Sequence, residues 1–197
     1  MQSLHEKTCW VFDLDGTLTQ AIHDFDHIRA VLDIAPGQDI LAALEAMPSS
    51  EQARATLRLD ELERHYAEQA QPADGVLECL SLLHQRQCHM GILTRNRRDL
   101  ALLSLQAIGL DKFFTPDTVL GRDEIAPKPA PDGIHYLLSQ WQASPETAVM
   151  VGDFHYDLLC GRAAQVYTVH VSDDGRHWPA DTDLRVSNLQ ELALLLH

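Results

Sequence analysis

Apolar and polar positions in this chain follow two different periods. Cys9-Trp10-Val11-Phe12 is an unbroken apolar run, which predicts a strand buried on both faces. From about residue 21 the spacing turns helical. Ile22, Phe25, Ile28, Val31 and Leu32 fall on one stripe, and Ile40, Leu41, Leu44 and Met47 follow Pro36-Gly37. A longer helix is expected through Leu57, Leu62 and Tyr66, with Ser49 or Ser50 as its N-cap. Pro72-Ala73-Asp74-Gly75 closes this block.

Beyond Gly75 helix and strand alternate. Helices are predicted over 76–85, 96–108, 131–141, 155–164 and 188–196. Strands are predicted over 88–93, 118–120, 148–151 and 166–171. Strands separated by single helices imply an α/β fold with a parallel sheet covered on both faces. The helical block at 19–72 interrupts that alternation. It reads as a cap inserted into a core made of residues 1–18 and 73–197.

Composition narrows the classes. At 197 residues the chain suits one domain with a modest insertion. A net charge of -14 argues against a broad basic face for nucleic acid, though a small site can still be locally positive. No apolar run is long enough to span a bilayer. Residues 1–7 lack a secretory leader pattern, and the four cysteines form no paired motif. The expectation is therefore a cytoplasmic chain with reduced thiols. Lysine is scarce: Lys7, Lys112 and Lys128 stand against twelve arginines.

The chemistry gathers where strands end, the rim at which open parallel sheets bind ligands. The first strand leads into Asp13-Leu14-Asp15-Gly16-Thr17-Leu18, the second into Thr94-Arg95-Asn96, and a later one into Gly152-Asp153 with Asp157 beyond. Lys128 lies in a loop toward the same rim. Strand alternation would put Asp13 and Asp15 on one side, where their charges repel. Magnesium, which takes carboxylate and phosphate oxygens, would relieve that repulsion, and Asp153 would complete its site. Gly16 permits a sharp turn with amides free to face an anion. Thr94 offers a hydroxyl, and Lys128 a charge to balance carboxylate and phosphate.

These four segments resemble, in order and spacing, the motifs of the haloacid dehalogenase superfamily in its phosphatase branch. The nearest likeness is to the phosphoglycolate phosphatase and β-phosphoglucomutase group, whose helical cap follows the first motif. The C-terminal stretch from Asp183 to Leu192 is also similar to the way that core closes. The resemblance implies a Rossmann-like three-layer sandwich. It implies Asp13 as the nucleophile that forms an aspartyl-phosphate, and Asp15 as the proton donor and then base. It implies magnesium held by Asp13, the Asp15 carbonyl and Asp153, and phosphate held by Thr94, the backbone near Arg95, and Lys128. Asp157 would support the site from behind. The expected partner is a small phosphorylated metabolite, and the chain would be a monomer or homodimer.

Several residues depart from the pattern or carry two readings. Phe154 stands where many relatives have a small hydroxyl residue. Asp153 could cap the helix at His155, and His155 could touch substrate or only that helix end. Asn96 reads as an N-cap. Arg95, Arg97 and Arg98 oppose the dipole of the helix they precede, so they either face an anion or reach solvent. His23, Asp24, Asp26 and His27 read as a polar face of the first cap helix rather than a second metal site. A phosphomutase, or an idle phosphate- or metal-binding regulator, is the alternative to a phosphatase.

Overall fold

The computed structural model describes residues 4–197. The reading of the first three residues as part of a leaderless start lies outside them. One six-stranded sheet organises the molecule, in the order β3-β2-β1-β4-β5-β6, with every pairing parallel. Its strands are β1 Cys9–Phe12, β2 His89–Leu93, β3 Val119–Leu120, β4 Ala148–Gly152, β5 Tyr167–Val171 and β6 Leu184–Val186. The helices are α1 Phe25–Val31, α2 Ile40–Glu45, α3 Ser49–Glu68, α4 Val76–Gln85, α5 Arg98–Ala107, α6 Asp132–Trp141, α7 His155–Ala163 and α8 Leu189–Leu196.

The pleat of β1 divides the core. Trp10 and Phe12 face a cluster with α4, α5 and α8, whereas Cys9 and Val11 face α6 and α7. The result is the three-layer sandwich expected from the alternating pattern, with β1 at its centre. Helices α1–α3 leave the chain between β1 and α4 and close around a third apolar cluster of Ile28, Leu32, Ile34, Ala43, Leu44 and Leu59.

Three local expectations change. The first helix of the insertion begins at Phe25, because Asp24 accepts a hydrogen bond from the His27 amide and so fixes the start there. Helix α3 begins at Ser49, with Pro48 as its cap and no capping side chain, so neither serine caps it. The closing stretch carries a sixth strand, β6, that the pattern did not reveal. Its three residues gain their meaning from pairing with Val169–Val171. Among the described residues, no helix is long and apolar enough to cross a membrane.

Candidate active site

The sequence places four acids and a lysine on the sheet's rim, and the fold gathers three of the acids, Asp13, Asp153 and Asp157, around the lysine. Lys128, only 2% exposed, reaches Asp13 Oδ1 at 2.5 Å and Asp157 Oδ1 at 2.6 Å. Oxygens of Asp13, Asp153 and Asp157 lie within 4.8 Å of one another. Gly16 makes this approach feasible. Its φ is +93°, and a Cβ there would sit 2.9 Å from Asp153 Oδ2. Gly152 does the same for α7, because a Cβ would fall 2.3 Å from the Asp157 carboxylate. Thr17 donates to Asp153 Oδ1 at 3.3 Å.

Asp153 does not cap α7. The cap is Phe154, and Asp157 folds back to accept from the Phe154 amide at 3.0 Å. This leaves the Asp153 carboxylate turned to the cluster. Burial, then the Asp13 and Asp157 charges, push its pKa up to about 8. Burial also pushes Asp157 up to about 6 against the pull of Lys128. Burial opposes the charge on Lys128, but Asp13 and Asp157 hold its pKa above the ordinary lysine value. One ammonium therefore balances a group of carboxylates that exceeds it in charge. An all-oxygen donor set with surplus negative charge fits a hard divalent cation such as magnesium.

Asp15 has other partners. Its carboxylate lies 3.5 Å from Asn96 Nδ2 and 3.9 Å from His23 Nε2, outside the three-acid group. The Asp15 side chain is thus not gathered with the three clustered acids, and only its backbone carbonyl is left for the ligand role expected of it. Burial raises the pKa of Asp15, His23 opposes, and Asp13 adds to the rise. His23 packs at a tilt against Tyr66, ring centroids 4.5 Å apart, and stacks on Phe25 at 5.6 Å. It therefore belongs to the segment entering α1 rather than to a helix face.

Thr94 is 2% exposed, and its Oγ1 accepts the Asn96 amide at 3.0 Å. The hydroxyl proton is then free to donate to an anion. Asn96 does not cap α5. Arg97 occupies that position, and the Asn96 amide turns toward Asp15 instead. The three arginines each pair with acids of the protein. Arg95 grips both oxygens of Asp39 at 2.9 and 2.7 Å, donates to the Lys128 carbonyl and stacks on Tyr156. Arg97 pairs with Asp60 and Asp99, and Arg98 with Glu124. Arg122, which sequence reasoning passed over, holds Asp60 at 2.8 Å and Glu63 at 2.9 Å.

His155 neither meets the acid cluster nor merely ends a helix. Its Nε2 lies 2.9 Å from Asp181, and its ring stacks on Trp178. Phe154 packs edge-on to Tyr156 and Trp178, 41% exposed. Thr17 and Asn96 lie inside the quoted motifs without a site role assigned to them, His23 reads in the sequence only as part of a polar face, and His170 is not singled out there. His170 meets the site from a strand 17 positions beyond Asp153.

This geometry sits in a chain that matches the haloacid dehalogenase-like hydrolase family over residues 26–171. A haloacid dehalogenase-like hydrolase domain-containing protein of Arabidopsis thaliana is 30% identical, over 94% of this chain and 82% of its own. The pyrophosphatase PpaX of Listeria monocytogenes is 31% identical, over 84% of this chain and 83% of its own. A hydrolase structure from Pseudomonas syringae superposes with a TM-score of 0.80 at 20% identity, over 96% of this chain and 98% of that one. The fold is that of these hydrolases, and the chain belongs to the haloacid dehalogenase-like hydrolase family.

Proposed function

We propose that this chain, a hydrolase of the phosphatase type, is a magnesium-dependent enzyme that cleaves a small phosphomonoester through an aspartyl-phosphate on Asp13. The observation that carries this reading is the division of partners between the two neighbouring acids. Asp13 is held by a buried lysine beside two further carboxylates, whereas Asp15 stands apart with a raised pKa. A carboxylate paired with an ammonium has an oxygen placed to attack phosphorus. A carboxyl whose pKa is raised by burial is the better suited of the two to supply a proton.

In the first step an Asp13 oxygen forms a bond to phosphorus while the bond to the leaving oxygen breaks. Asp15 gives that oxygen its proton. In the second, Asp15 takes a proton from water, the water oxygen bonds to phosphorus, and the Asp13–phosphorus bond breaks. Thr94 and Lys128 would hold the phosphoryl oxygens. Asp13, Asp153 and the Asp15 carbonyl would hold magnesium, which offsets phosphoryl charge when bound. Helices α1–α3, with residues 19–72, would act as the cap over this rim and set the substrate.

The test is phosphate release with magnesium from a panel of small phosphomonoesters, with inorganic pyrophosphate included because of the Listeria relative. Asp13→Asn protein runs alongside and should lose about 10³-fold or more of the rate while still folded. Equal release by both proteins would remove Asp13 as nucleophile. No release from any compound would remove the phosphatase reading.

A further inference from the structure

His170 is fully buried on β5, directly opposite Gly152 in the β4–β5 register. The β4 ladder ends at Gly152, so Asp153 is the first residue past it. His170 Nε2 lies 3.2 Å from the Asp153 carbonyl oxygen. A carbonyl only accepts, so Nε2 carries the proton in this contact. Nδ1 has no hydrogen-bond partner among the described residues. An apolar side chain would fill the same space without leaving a buried nitrogen unsatisfied. What a histidine adds here is the Nε2–H.

We propose that His170 is a positioning residue for the metal acid. Its Nε2–H fixes the Asp153 carbonyl and so aims the Asp153 carboxylate at the cation. The inference rests on the reading of Asp153 as a magnesium ligand. The neighbouring turn is held in the same way. Trp178, 5.2 Å from the His170 ring, packs edge-on to Phe154 at 5.7 Å and stacks on His155 at 4.9 Å. Three successive residues, Asp153, Phe154 and His155, are thus anchored to β5 and the connection that follows it.

The experiment measures binding rather than turnover. Mn²⁺ is titrated into the protein, and free Mn²⁺ is read by electron paramagnetic resonance. The proteins are wild type, Asp153→Asn, His170→Leu and His170→Gln. His170→Leu is expected to bind Mn²⁺ about tenfold more weakly, as losses of groups that orient ligands do. Glutamine places an amide N–H near the Nε2 position, and should bind within about threefold of wild type. If the leucine variant fails to fold in a thermal melt, His170→Asn replaces it, since its shorter amide does not reach the carbonyl. Wild-type affinity in the leucine or asparagine variant overturns the proposal. So does a glutamine variant as weak as leucine, which would show that ring shape and not the donor matters. Wild-type affinity in Asp153→Asn, or no binding by wild type, overturns the ligand reading and the inference with it.

Discussion

Asp13 and Asp15 are separated by a single leucine, and their surroundings give them different chemistry. Asp13 meets Lys128, while Asp15 meets Asn96 and His23 and is pushed toward its neutral form by burial. If Asp15 serves both steps, its loss should show according to the leaving group. An alkyl phosphate needs a proton on its leaving oxygen, whereas p-nitrophenyl phosphate hardly does. Asp15→Asn should therefore hydrolyse alkyl phosphates at least ~10²-fold more slowly. With p-nitrophenyl phosphate it should release a burst approaching one equivalent of nitrophenol and then stall, since the base for the second step is gone. Rapid-mixing absorbance would show this. Steady turnover without a burst would deny Asp15 the second role. Asp13, Asp15 and Asp153 stand out in the sequence because acids at the ends of buried strands are costly without a purpose, whereas Thr94 and Lys128 are weak signals alone and gain weight only from the ordered set of motifs. Asn96, His23 and His170 do not stand out as site residues. Their roles come from contacts made across 81, 8 and 17 positions of the chain, and no local spacing encodes those.

At the scale of elements, the informative contact is between α3 and the loops that follow β2 and β3. Asp60 and Glu63 lie three apart, on one face of α3, and meet Arg97 and Arg122. Arg95 makes the matching contact to Asp39 at the start of α2. Two of the arginines that oppose the α5 dipole, Arg95 and Arg97, are therefore docking points of the helical insertion, while Arg98 stays with Glu124 in the core. The sequence showed the misfit with the dipole but could not show which acids answered it. Core helices were legible to within a residue or two from their apolar stripes, while β6 was too short to carry a pattern. Arg122 is nearly buried, so Arg122→Met would strand two acids. It should cost about 3 kcal/mol, or roughly 6–12 °C in melting temperature. An unchanged melt would mean that these pairs contribute nothing net. Glu63 supplies a pH test, because burial raises it to about 7 against the pull of Arg122. The folded state then keeps a proton that the unfolded state gives up near 4.5. Its contribution is full below that lower value and is lost as pH rises to about 7. Glu63→Gln should therefore gain stability over wild type between about pH 5 and pH 7.5, by up to roughly 3 kcal/mol. A difference that stays flat across that range would refute the shift.

At the scale of the whole molecule, charge sets the last expectation. The chain carries a net -14, and its rim concentrates carboxylates around one lysine. Any salt will screen the first of these, whereas the second is met by a bound divalent ion or by protons on the acids. The two effects separate in a thermal melt. Binding to the folded state alone stabilises by about 2.7 kcal/mol at a hundredfold excess over Kd. For a chain of this size that corresponds to roughly 5–11 °C. Magnesium chloride should raise the melting temperature by that much, and sodium chloride at equal ionic strength by clearly less. Asp153→Asn should lose most of the difference between the two salts and keep the screening part. It should also start from a more stable metal-free state, because burial and its acidic neighbours make ionised Asp153 costly when no cation is bound. If both salts raise the melt equally in wild type, the surplus charge on the rim has no resident cation, and the acids there must be balanced by protons alone.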